Sequence, residues 1–158
     1  MNSTREKFIH SIAQLAAEAC KGTGLFVSLN IAQACLESAN GSSELSARHH
    51  NYFGIKAAHG WQGAVVNLPT TEYVKGQPVK VLQPFRAYAC IEDGFKDRVK
   101  FLQENRRYTL AGVFKCTSPE GQAKCFLKAG YATDPAYPQK LIAILNEHDL
   151  KQYDELAA

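Results

Sequence analysis

The stretch from Leu25 to Leu36 leaves this chain few choices. Apolar side chains fall on nearly every side of it, and only Ser28, Asn30 and Gln33 are polar. At 3.6 residues per turn this predicts a helix with no solvent face, which has to lie in the middle of a core. At its C-terminal end stands Glu37, followed at once by Ser38-Ala39-Asn40-Gly41-Ser42-Ser43. The negative pole of the helix dipole disfavours a carboxylate there, and a buried acid without a partner is costly. Either Glu37 caps or pairs locally, or something requires an acid in that place.

The rest of the chain supplies material to surround such a helix. Phe8, Ile12, Leu15, Ala16 and Ala19 share one helical face, and Gly22 and Gly24 stop the run. Between Trp61 and Tyr88 the texture changes to short β-prone runs: Val65-Val66, Thr70 to Val74, and Val79 to Leu82. Lys75-Gly76-Gln77-Pro78 reads as a turn, so a small antiparallel sheet or long hairpin is expected. Helical spacing resumes with Ile91, Phe95, Val99 and Leu102. Ser118-Pro119-Glu120 has the form of an N-cap followed by proline. Asp134-Pro135 repeats that signal ahead of the stripe Tyr137, Leu141, Ile144 and Leu145. The expectation is an α+β fold over residues 1–158 as one domain, mostly helical, with a β-lobe at about 60–88.

Composition narrows the function classes. The chain is 46% hydrophobic and 21% charged, and no apolar run approaches the roughly 20 residues of a membrane helix. Its start, MNSTREKFIHSIAQLAAEAC, is amphipathic and lacks the apolar core of a signal peptide. A net charge of +3 favours anionic partners mildly, but no dense Lys/Arg cluster points to nucleic acid. The basic run Lys96 to Arg107 is interleaved with Asp97 and Glu104 and reads as a solvated helix face. Five cysteines without a C-x-x-C pair suit a reducing compartment rather than a zinc site or disulfide framework, with Cys20 and Cys35 as buried hydrophobes. Adjacent His49 and His50 point apart on a helix, and His59 stands alone, so neither metal nor cofactor is expected.

The acids are sparse where they would matter. No aspartate precedes Asp93, and between Glu18 and Glu92 the only carboxylates are Glu37, Glu44 and Glu72. Glu72 lies in the β-prone insertion. A raised-pKa acid in an apolar wall facing a more solvated carboxylate is how glycosidases divide proton donation from base work. From pattern alone the plainer reading, Glu37 capping or pairing locally and Glu72 as an exposed strand residue, is the favoured one.

Three blocks of sequence then resemble one family. Ile31 to Ser38, Gly41-Ser42-Ser43-Glu44-Leu45 and Asn51-Tyr52-Phe53-Gly54-Ile55-Lys56 are similar to the glucosaminidase family of peptidoglycan hydrolases. These are the flagellar-muramidase-like and autolysin-type endo-β-N-acetylglucosaminidases of glycoside hydrolase family 73. The resemblance continues through Trp61, Thr71-Glu72-Tyr73 and Phe85-Arg86-Ala87-Tyr88 to Gly130-Tyr131-Ala132-Thr133-Asp134-Pro135-Ala136-Tyr137.

It implies a lysozyme-like fold, with a substrate cleft between a helical body and a β-lobe. By the same resemblance Glu37 is the general acid, Glu72 the base or stabiliser, and Tyr131 a tyrosine lining the cleft. Some relatives place an aspartate earlier, where this chain has none. Asn51, Tyr52 and Phe53 are candidates for a sugar subsite; Phe53 also reads as loop packing, and Tyr137 as core or site. Trp61 is divided between lobe packing and substrate stacking, and Gly54 serves backbone conformation. The implied activity is hydrolysis after N-acetylglucosamine in the glycan strand of bacterial peptidoglycan, by a monomer that inserts in no membrane. A lytic transglycosylase, a muramidase or an inactive glycan-binding module would share the fold. The expected location is synthesis in the cytoplasm without a signal peptide. Action on the wall would follow release, as for a phage or prophage endolysin, or dedicated export.

Overall fold

A computed structural model of the chain describes residues 3–58 and 60–157, so His59 lies outside the described residues. Helix α2 (Val27–Glu37) forms the centre, and every side chain from Val27 to Cys35 is buried. Helices α1 (Thr4–Cys20), α6 (Pro119–Lys128) and α7 (Tyr137–Glu147) pack against it, with a C-terminal 3-10 segment (Leu150–Ala157). Burial on all sides is the consequence of its apolar composition. Its first turn is capped from afar: Asp154 accepts from the Ser28 amide at 2.8 Å and from the Ser28 hydroxyl at 2.7 Å. A carboxylate at a helix N-terminus satisfies free amides and complements the dipole.

The first helix has the expected face, rotated. Ile9, Ala13 and Ala17 join Phe8, Ile12 and Ala16 in the core, whereas Leu15 and Ala19 are only partly buried. The cause is that α1 packs against α2, α4 (Ile91–Glu104, followed by the short α5, Arg106–Leu110) and the C-terminal segment together. A short helix α3 (Glu44–His49) follows α2; His49 ends it and His50 takes the left-handed cap at φ +58°.

The β-lobe is one hairpin. Strands β1 (Val65–Val74) and β2 (Gln77–Arg86) pair antiparallel from Val65 opposite Arg86 to Val74 opposite Gln77. Lys75 and Gly76 close it with φ +53° and +77°, a two-residue turn tighter than the four-residue one expected. Only its base is held. The Arg86 amide donates to the Ile55 carbonyl and the Ala57 amide to the Pro84 carbonyl, both at 3.0 Å. Arg86 also pairs with Asp97 at 2.9 Å. From Thr71 to Leu82 both strands are exposed.

Two further expectations change. In α4 the buried face includes Arg98 beside Phe95, Val99 and Leu102, so the basic run is not simply a solvated face. Helix α6 starts at the expected cap, with Ser118 Oγ accepting from the Gly121 amide at 3.0 Å. Helix α7, however, starts at Tyr137 rather than at Pro135. Asp134 instead shapes the preceding turn, accepting from the Ala136 amide at 2.9 Å. Among the described residues no helix is long and apolar enough to cross a membrane.

Candidate active site

Glu37 ends α2 at the wall of a cavity of about 390 Å³. Phe53, Gly54, Ile55, Asn105, Tyr108 and Tyr131 also line it. Among the described residues Glu37 is the only carboxylate lining it. A cavity of about 280 Å³ lies at the α1–α2 junction, but its acid, Asp154, is engaged in capping α2.

The environment of Glu37 is unusual for a carboxylate. Its Oε1 accepts from the Tyr137 hydroxyl at 2.9 Å, while its Oε2 is buried with no hydrogen-bond partner. Burial pushes the acid up from its ordinary 4.5 to about 7; the Arg98 charge and the Tyr137 hydrogen bond restrain the rise. A carboxyl in this state is protonated through much of the neutral range and can donate a proton. The hydroxyl of Tyr131 is also buried and unpartnered. Its ring touches those of Phe126 and Tyr137 at 5.1 and 6.0 Å. An acid able to lose a proton and an unpaired hydroxyl therefore share one cleft.

A family model described as mannosyl-glycoprotein endo-beta-N-acetylglucosaminidase matches residues 13–150. The chain belongs to the glucosaminidase family. This glucosaminidase domain is 36% identical to the peptidoglycan hydrolase FlgJ of Pseudomonas aeruginosa, over all of the chain and 40% of that protein. It spans less than half the length of the FlgJ relatives it matches. Among solved structures, the catalytic domain of the autolysin Auto from Listeria monocytogenes superposes with a TM-score of 0.84 at 30% identity. That match covers 98% of this chain and 89% of the other. A truncated glycoside hydrolase domain of FlgJ from Salmonella typhimurium gives 0.74 at 34% identity, covering 92% and 97%. The glucosaminidase domain thus has the lysozyme-like α+β architecture of glycoside hydrolases.

Its predicted site residues separate into groups. Glu37, Phe53 and Tyr131 line the cavity. Glu72 does not: it is exposed on β1 opposite Val79, near the hairpin tip, with Thr70 Oγ1 at 3.5 Å. Asn51 is a framework residue rather than a sugar contact. Its amide donates to the Ile55 and Arg86 carbonyls, both at 2.9 Å, and its oxygen accepts from the Phe53 and Ile55 amides. All four of its hydrogen-bonding positions are filled by backbone. Tyr52 is likewise drawn into packing, stacked on Phe8 at 5.8 Å and tilted against Phe95. Tyr137 does not line the cavity; it is buried behind Glu37 and holds its Oε1. Trp61 packs at the hairpin base, edge-on to Tyr88 and under the Arg86 guanidinium at 4.5 Å. Gly54 has φ +67°, consistent with a backbone role.

Two residues behind the site escaped the reading of the sequence. Gln33 Nε2 donates to the Tyr137 hydroxyl oxygen at 3.1 Å, and Arg98 donates to Gln33 Oε1. The signal for Arg98 was spacing: it stands three residues after Phe95 and four before Leu102, on the buried side of α4. Gln33 showed as a polar residue inside an apolar helix, but nothing local names its partner.

Proposed function

We propose that this domain is an endo-β-N-acetylglucosaminidase of bacterial peptidoglycan, cleaving the β-1,4 bond after N-acetylglucosamine with Glu37 as general acid. One observation carries the reading: a carboxyl held near neutrality, with one oxygen unpartnered, on the wall of an open cleft in a glycoside hydrolase fold. Protonation of the leaving glycosidic oxygen by Glu37 relieves the charge that builds there as the bond breaks. Tyr131, which lines the same cavity, offers its ring to the acetamido sugar. The residues that line the cavity come from one chain, which supports action as a monomer. The positive net charge favours adsorption to an anionic wall.

Glu72 enters this scheme as base or stabiliser only if the hairpin, tied at its base alone, closes over bound glycan. A cleft with one carboxylate also suits a second reading, in which the substrate's own groups replace the base. Its products are then formed by substrate assistance, or as anhydro sugars by a transglycosylase. Digestion of purified peptidoglycan by the parent, Glu37→Gln and Glu72→Gln proteins, with mass spectrometry of the fragments, separates these. The proposal expects new N-acetylglucosamine reducing ends from the parent and a loss of at least about a hundredfold in Glu37→Gln. Near-parental lysis by folded Glu37→Gln protein overturns it. Anhydro-muropeptides from a fully active Glu72→Gln protein establish the transglycosylase.

A further inference from the structure

The core contains a charge that packing does not explain. Arg98 is 1% exposed, and its Nε and Nη1 have no hydrogen-bond partner. The guanidinium lies over the ring of Phe53 at 4.3 Å, with Tyr131 at 5.4 Å and Phe126 at 5.5 Å. Among the described residues no carboxylate forms an ion pair with it, whereas Arg86, at the end of β2, pairs with Asp97. A buried cation without a counter-ion is costly. Its one hydrogen bond goes to Gln33, and the chain of bonds from there ends on Glu37.

The direction of that chain follows from what each group can do. A guanidinium only donates, so Arg98 faces the Gln33 carbonyl oxygen. The Gln33 NH2 is thereby aimed at the Tyr137 hydroxyl oxygen, 3.1 Å away, and it too only donates. The single Tyr137 proton then points to Glu37 Oε1, the acceptor at 2.9 Å. If Glu37 carried its proton on Oε1 and donated to Tyr137, the tyrosine proton would be buried without an acceptor. The acid proton is therefore left to Oε2, the oxygen with no protein partner.

We infer that Arg98 and Gln33 are positioning residues that orient the hydrogen bond from Tyr137 and so place the transferable proton of Glu37 on Oε2. This rests on Glu37 being the acid. The groups facing Glu37 are Arg98 from α4, Tyr137 from α7 and Tyr131 from the segment before it. Lys56, Arg107 and Tyr108 line the same cavity. Arg98 is the buried cation in this set. It restrains the upward push of burial on Glu37, so the acid titrates near neutrality instead of staying protonated.

Gln33→Glu tests the direction while keeping an anchor for Arg98. The new carboxylate accepts from both Arg98 and Tyr137, so the tyrosine proton turns away from Glu37. Glu37 loses a donor and gains a negative neighbour; the alkaline limb of kcat/KM on solubilised peptidoglycan should rise by about one pH unit. With the proton displaced to Oε1, kcat on the plateau should fall about tenfold or more. Arg98→Lys, which retains charge and donor, should hold the limb near the parent's, and Arg98→Met should raise it. If Arg98→Met does not fold, Gln33→Glu and Tyr137→Phe still decide, since each removes the bond to Oε1 without emptying the core. Carbon-13 NMR of the Glu37 carboxyl reads the same titration without turnover. A folded Gln33→Glu protein with the parent's limb and kcat overturns the inference. Inactive Glu37→Gln in the same series keeps the acid assignment standing in that event, and active Glu37→Gln removes the assignment itself.

Discussion

If Glu37 is held neutral by burial, the fold itself must bear a cost when it ionises, and that cost can be measured without substrate. In the unfolded chain the carboxyl titrates near its ordinary 4.5; in the folded protein it does so at about 7. Between those values the folded state holds more protons than the unfolded state, so stability falls as pH rises through this window. The favourable contribution is whole below about pH 4.5 and is gone above about pH 7. At about 1.4 kcal/mol per pH unit the full span is about 3.5 kcal/mol, and the partial exposure of Glu37 trims it to about 2–3 kcal/mol. Glu37→Gln cannot ionise and keeps an oxygen for the Tyr137 hydroxyl. Its stability relative to the parent should therefore climb by that amount from about pH 4 to about pH 8. Urea unfolding of both proteins across the range, followed by far-UV circular dichroism, gives the difference directly. Parallel stability–pH curves would refute the reasoning, because they would mean that Glu37 titrates alike in the folded and unfolded chains.

Other outcomes follow from the same geometry. Tyr131→Phe keeps the ring and should lose less activity than Tyr131→Ala, and neither should unfold the domain; equal stability loss with unaffected turnover would return Tyr131 to the core. Asn51→Ala strips partners from two amides and two carbonyls at the loop–hairpin junction, so a loss of about 2–4 kcal/mol in unfolding free energy is expected. A loss below about 0.5 kcal/mol there would show the junction is held by something else.

What the sequence determined by itself is what depends on local pattern. The all-round apolar run from Leu25 to Leu36 specifies a central helix, because a helix without a polar face has nowhere else to go. Ser118-Pro119 starts α6 where the cap chemistry places it, and the β-prone runs around Lys75-Gly76 specify a hairpin. The position of Glu37 at the end of the buried helix was legible for the same reason. Its chemistry was not. The partner of Glu37 is Tyr137, a hundred residues away, and behind it stand Gln33 and Arg98, on helices that meet only in the folded core. Spacing says which face of α4 or α7 is buried, but not which polar atom on that face finds another. The same limit accounts for Asn51 and Glu72. The family resemblance makes both candidates for the site, yet backbone partners claim one, and a hairpin anchored only at its base carries the other into solvent. Periodicity fixes burial residue by residue, whereas hydrogen-bond partnership is a property of elements brought together, and only the tertiary structure decides it.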